Sequence, residues 1–134
     1  FSRVAKNLDM EHVLVVHGED GLDEISITGP TNVSEYKDFK INEYAICPED
    51  FGIASAPFED IAAQSSEESL RMVQEAFAGE KSAVQDMIAL NSGAALYIAR
   101  KVDSISEGVE LSFDLMNNGK AADKLAAYVR VSNI

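Results

Sequence analysis

Val13-Leu14-Val15-Val16-His17-Gly18-Glu19-Asp20-Gly21-Leu22-Asp23-Glu24-Ile25-Ser26-Ile27-Thr28-Gly29-Pro30-Thr31 is the stretch on which the reading of this chain turns. Its first four residues form an uninterrupted apolar run, the pattern of a strand covered on both faces at the centre of an α/β sheet. His17 and Gly18 end that strand, which is expected over residues 13–17. In open α/β sheets ligands bind beyond the carboxyl ends of the strands. Glu19, Asp20, Asp23 and Glu24 fall there, with no Lys or Arg among them. Adjacent acids repel at neutral pH unless water or a cation intervenes. Oxygen donors without Cys, with His only at the edge, suit a hard cation. A carboxylate pair suits Mg²⁺, which usually takes one or two carboxylates and completes its shell with water and substrate phosphate. The spacing does not fit an EF-hand, which needs acids at alternate positions and a distant closing Glu. On the residues alone, Asp23 and Glu24 read either as a Mg²⁺ site or as part of a solvated acidic turn.

Downstream, Ile25, Ile27 and Val33 mark two extended segments, about 24–29 and 32–37, broken by Gly29-Pro30. Lys37-Asp38-Phe39-Lys40 reads as a hairpin turn, and Ile41, Tyr44 and Ile46 place a return strand over 40–46. Such a meander predicts a mixed sheet rather than a wholly parallel one. Pro48-Glu49-Asp50 opens a single helical turn, and residues 52–64 read as a surface loop. Upstream, Val4 and Leu8 make residues 1–11 the end of a helix, with His12 as a polar residue at that end.

The second half is helical. Ser65 with Glu68, Ser82 with Gln85, and Ser104 with Glu107 are three capping boxes, each followed by apolar residues at helical spacing. Gly79 and Gly119 are placed to close the first and third of these helices. Helices are expected over 66–78, 83–99, 105–118 and 121–129. Their apolar stripes are read as core. In Asn91-Ser92-Gly93, small residues allow close backbone approach, read first as tight helix–strand packing. Asn91, on an apolar face, requires a hydrogen-bond partner. The expected class is thus α/β, a mixed β-sheet followed by a run of helices.

The length of 134 residues is one domain's worth of chain, with no apolar run of membrane-spanning length. The net charge of −12 argues against a nucleic-acid backbone as the main partner. Residues 1–68 hold 15 acids and 4 bases, whereas residues 69–134 hold 8 and 7, so the acidity belongs to the half with the loop. An anionic phosphate would need a metal ion or basic groups from elsewhere to approach it. Cys47 is the single cysteine, which fits a reducing cytoplasm and reads as a small apolar strand residue. No P-loop, G-x-G-x-x-G, nucleophile elbow or paired-Cys zinc pattern occurs.

His17-Gly18, Gly21-Leu22-Asp23-Glu24-Ile25-Ser26 and Gly29-Pro30-Thr31 are followed by Pro48-Glu49-Asp50-Phe51-Gly52 and Asn91-Ser92-Gly93-Ala94-Ala95-Leu96-Tyr97. In this order they resemble segments of anthranilate phosphoribosyltransferases, and the likeness runs over nearly the whole chain. The resemblance implies that residues 1–134 are the C-terminal portion of a catalytic α/β domain of the nucleoside phosphorylase/phosphoribosyltransferase kind. The family's small helical domain, glycine-rich pyrophosphate loop and basic substrate-contacting residues would then lie N-terminal to it, so no catalytic residue is assigned here. The implied activity is transfer of phosphoribosyl from phosphoribosyl pyrophosphate to the amine of anthranilate, in tryptophan biosynthesis. Asp23 and Glu24 match the family's Mg²⁺-binding pair. The implied partners are the two substrates, the N-terminal remainder of the enzyme and, for the intact enzyme, a second copy in a homodimer. Two other readings stand beside this one: a non-catalytic acidic module binding Ca²⁺ or protein weakly, and a related transferase such as a pyrimidine nucleoside phosphorylase.

Overall fold

A computed structural model describes residues 1–132. The order is α1 (Ser2–Asn7), β1 (His12–Gly18), β2 (Thr31–Lys37), β3 (Lys40–Ile46), then α2 (Ser66–Phe77), α3 (Ala83–Ile98), α4 (Ile105–Asn117) and α5 (Lys120–Ser132). Single 3-10 turns lie at Pro48–Phe51 and Phe58–Asp60. The α/β class holds, with the sheet first and the helices after. Its three described strands run antiparallel in the order β1-β2-β3. The β2–β3 hairpin turns on Asp38 and Phe39, both at positive φ with Lys37 opposite Lys40, the two-residue geometry that matches strand twist.

Each predicted capping serine accepts a hydrogen bond from the amide three residues on, with Ser65, Ser82 and Ser104 bonded by Glu68, Gln85 and Glu107. Gly79, at φ 83°, completes α2: its own amide and that of Glu80 close back on the carbonyls of Ala76 and Glu75. The same closure ends α3 with Arg100 in the left-handed position, at φ 54°.

Four expectations in the first half of the chain need correction. Residues 24–29 are not a strand. Side chains satisfy their backbone instead: the Ile25 amide donates to Asn91 and the Ser26 amide to Thr31 Oγ1, and the Thr28 amide donates to Ser26 Oγ. Ile25 and Ile27 nevertheless reach the core, at 3% and 0% exposure. Second, among the described residues β1 pairs with β2 alone, and Val13–Val16 are half-buried rather than buried. Alternation sends Leu14 and Val16 to the core side. Third, His12 is no helix-end residue. It opens β1, buried, with Nε2 donating to Glu35 Oε1 at 2.8 Å. Fourth, Cys47 lies one residue past β3 and caps the turn at Pro48–Phe51.

The core gathers Ile25, Ile27, Val33 and Ile46 from the sheet side, with Ile53, Ala89, Leu90, Ala94, Val109 and Met116 from the loop and helices. The partner of Gly93 is a helix rather than a strand. A Cβ on Gly93 would lie 2.6 Å from the Val109 amide nitrogen, and one on Gly108 would overlap the Gly93 carbonyl oxygen. The α3 and α4 backbones therefore touch, which only glycine at both positions allows. This contact fixes α3, and α3 carries Asn91 to the acidic loop.

Candidate functional site at the end of strand β1

Gly18 closes β1, and the chain turns sharply. The Gly18 amide donates to the Leu22 carbonyl, the Gly21 amide to the Gly18 carbonyl and the Glu19 amide to the Pro30 carbonyl. Gly21 sits at φ 93°, a conformation open to glycine at little cost. Inside this turn Asp20 acts as a hub. Its Oδ1 accepts the Leu22 amide at 3.0 Å, and its Oδ2 accepts the hydroxyls of Ser26 at 2.5 Å and Thr28 at 2.6 Å. Partial burial works against the charge of Asp20, but these donors outweigh it and hold its carboxyl below the ordinary value. A Cβ on Gly18 would run into Asp20 Oδ1, so the end of the strand is shaped to admit that carboxylate.

Asn91 holds the far side of the turn. Its Oδ1 accepts the Ile25 amide at 2.9 Å, while Nδ2 donates to the Ile25 carbonyl at 2.9 Å and to the Met87 carbonyl at 3.0 Å. The partner that Asn91 required is therefore the backbone of the acidic loop itself. The Ile27 carbonyl in turn accepts the Ala56 amide, which ties the loop after β3 to the same segment.

Asp23 and Glu24 stand between these two anchorages. Both are exposed, and among the described residues neither makes a hydrogen bond or ion pair. Their oxygens are free for solvent or a ligand. No group of three or more His, Cys, Asp or Glu side chains converges as a metal cage among the described residues. The pair offers hard oxygen donors but only part of an octahedral shell, which fits Mg²⁺ shared with an oxygen-rich ligand better than a closed protein site. His17 and Glu19 are exposed beside the turn. A cavity of about 360 Å³ adjoins the pair, bounded by Leu22 and Glu24 from the loop and by Met87, Asn91 and Ser92 from α3. A larger apolar groove of about 610 Å³ lies between α3, α4 and α5, without a carboxylate in its walls.

A second polar cluster escaped the sequence reading. Glu35, 7% exposed, accepts from His12 Nε2 and Tyr97 Oη, each at 2.8 Å, and from Tyr44 Oη at 3.1 Å. Lys37 Nζ donates to Tyr97 Oη at 3.0 Å. Burial alone would raise the Glu35 carboxyl, but its three donors reverse that and hold it below the ordinary value. The Asn91-to-Tyr97 motif thus has a member at each polar cluster: Asn91 at the acidic loop and Tyr97 against the sheet. The other ring nitrogen of His12, Nδ1, is buried and has no hydrogen-bond partner among the described residues.

Residues 1–122 match the glycosyl transferase family, a/b domain. The anthranilate phosphoribosyltransferase of Halorhodospira halophila is 44% identical over 128 residues, covering 96% of this chain and 37% of that protein. That of Ectopseudomonas mendocina is 44% identical over 139 residues, covering 99% and 39%. The crystal structure of anthranilate phosphoribosyltransferase from Thermus thermophilus superposes with a TM-score of 0.86 at 34% identity, over 96% of this chain and 38% of that one. A Saccharomyces cerevisiae anthranilate phosphoribosyltransferase described in complex with PRPP and Mg shares the fold, at a TM-score of 0.79 and 22% identity over 90% and 35%. The chain spans well under half the length of these relatives. Its sequence and its fold agree: the chain belongs to the glycosyl transferase family, a/b domain.

Proposed function

We propose that residues 1–134 are the C-terminal part of the catalytic α/β domain of an anthranilate phosphoribosyltransferase, and that Asp23 and Glu24 bind Mg²⁺ together with phosphoribosyl pyrophosphate. The observation that carries the reading is the exposed, unpaired Asp23-Glu24 dipeptide at the end of β1, in a chain 44% identical to proteins of that name. In the transfer, the bond from the anomeric carbon to the pyrophosphate oxygen breaks, and a bond forms from that carbon to the anthranilate nitrogen. The nitrogen gives up a proton to solvent. When bound, the metal ion supplies charge stabilisation for the departing pyrophosphate. The chain's own part is to hold two carboxylates in place while its helices keep the loop from collapsing. This chemistry asks for no strong acid or base.

The substrates, the N-terminal remainder that would supply basic phosphate contacts, a homodimeric assembly and a cytoplasmic setting belong to the same proposal. Unpaired Cys47 supports the reducing compartment. The test is a fluorescence assay on the full-length protein that carries this sequence. With Mg²⁺ and phosphoribosyl pyrophosphate, anthranilate fluorescence should fall at an enzymic rate. No loss of fluorescence, with phosphorolysis of a pyrimidine nucleoside instead, would move the protein to the nucleoside phosphorylases.

A further inference from the structure

We infer that Asn91 and Asp20 are positioning residues, which clamp the peptide on either side of Asp23-Glu24 so that the two carboxylates are set in place before a metal ion arrives. This rests on the metal reading of that pair given above. Asn91 meets both polar groups of Ile25, accepting from its amide and donating to its carbonyl, as a neighbouring strand would. Its remaining donor bond, to Met87 within α3, opposes rotation of the side chain. The residue after Glu24 is therefore fixed by a helix, and its own side chain is anchored in the core. On the other side, Asp20 gathers the Leu22 amide and the hydroxyls of Ser26 and Thr28, bonds that straddle the pair.

Asp20 is largely committed to the protein, with three of a carboxylate's roughly four acceptor sites in use. Both of its oxygens already accept protein donors, whereas Asp23 and Glu24 have none. The division of labour follows from the charges. Two adjacent carboxylates repel, and a loose loop would relax by swinging them apart. Bringing them back at each binding event would cost affinity. A loop held from both sides avoids that cost, because the ordering is done on folding. Neither Asn91 nor Asp20 touches the two carboxylates, so each acts through the backbone, with an effect near the lower end of the about 10–100-fold that follows loss of a ligand's own partner.

The test uses the full-length protein carrying this sequence and reads two quantities besides activity. One is the Mn²⁺ concentration giving half-maximal water-proton relaxation enhancement with saturating phosphoribosyl pyrophosphate. The other is hydrogen exchange at the Ile25 amide. Asn91→Ala should raise the metal half-saturation about tenfold and speed Ile25 exchange about as much. Asp20→Asn keeps the shape of the side chain but replaces one accepting oxygen with an NH2 group, and should also raise the half-saturation. Met116→Ala truncates a buried residue of α4 that makes no hydrogen bond to the turn, and should lower overall stability with less effect on either reading. Wild-type half-saturation in Asp20→Asn, or a shift in Met116→Ala as large as in Asn91→Ala, overturns the inference. Asp23→Asn combined with Glu24→Gln separates the two levels: unchanged metal half-saturation there defeats the metal reading itself. Ile25 exchange in Asn91→Ala would still report whether the clamp exists.

Discussion

Gly108→Ala tests the contact that places α3, and its sign is diagnostic. In an exposed helix the change from glycine to alanine stabilises by about 0.8–1.0 kcal/mol, because it removes backbone freedom from the unfolded chain. Here the added methyl would overlap the Gly93 carbonyl oxygen and lie 2.8 and 2.9 Å from Gly93 C and Cα. Carbon pairs rest at about 3.5–4.0 Å, so the helices must separate by roughly 1 Å. Every atom obstructing the methyl belongs to the backbone, and none can rotate away. Separation loosens the packing of Leu90, Ala94, Val109 and Met116, and overpacking of this kind costs about 1–3 kcal/mol. After the helix-forming gain, a net loss of up to about 2 kcal/mol is expected in urea unfolding. Gly29→Ala is the control: that position has neither positive φ nor any atom within 4 Å, and it should be near neutral. If Gly108→Ala is stabilising by about 1 kcal/mol, as at an exposed site, the close approach of α3 and α4 is wrong.

Glu35 predicts an acid-sensitive sheet. Its folded carboxyl titrates below the ordinary 4.5, so its contribution is complete above that value and is lost as pH falls through 4.5 toward the folded value. Glu35→Gln should cost about 2–3 kcal/mol at pH 7 and flatten that acid limb, read by urea unfolding across pH 3–7; an unchanged limb refutes it. Arg100→Gly relieves the left-handed end of α3 and gives up only an exposed pair with Glu11 at 3.5 Å, for a net gain of about 0.5–1 kcal/mol. A raised unfolding midpoint checks this, and a lowered one refutes it. Residues 1–134 expressed alone should give no loss of anthranilate fluorescence with phosphoribosyl pyrophosphate and Mg²⁺. The half that bears Asp23 and Glu24 holds 15 acids against 4 bases, and no basic cluster there would receive a pyrophosphate. Enzymic turnover by the isolated chain would show that the reacting groups lie within it.

The helical half was legible because its signals are local. A serine and an acid or amide three residues on announce a helix start, and a glycine in the left-handed region announces an end. Gln85 marks where that code stops. Its amide honours the box, but its side chain leaves to bond the Ala76 carbonyl and Asn117 Oδ1. Residues 24–29 misled for the same reason on a larger scale. Alternating isoleucines look like a strand, but the groups that take the place of a strand partner are the side chains of Asn91, Thr31 and Ser26. Asn91 lies 66 residues away from Ile25. His12 was misjudged because Glu35, which explains its burial, lies 23 residues on. The acidic turn could be picked out from composition, and the pair within it from the resemblance, but the task of Asp20 could not. Four acids in one turn are alike as letters, and only the fold separates Asp20, which braces, from Glu19, Asp23 and Glu24, whose carboxylates accept no bond among the described residues.

The most direct test of the account is the Mg²⁺ dependence of turnover in the full-length protein with Asp23→Asn and Glu24→Gln together. Neither carboxylate makes a bond within the described structure, so the fold should persist, and loss of their mutual repulsion should leave stability equal or slightly higher. The account predicts an unchanged or raised unfolding midpoint with turnover lowered by about two orders of magnitude or more, only partly recovered at high Mg²⁺. Wild-type turnover and wild-type Mg²⁺ dependence in the double variant would contradict it.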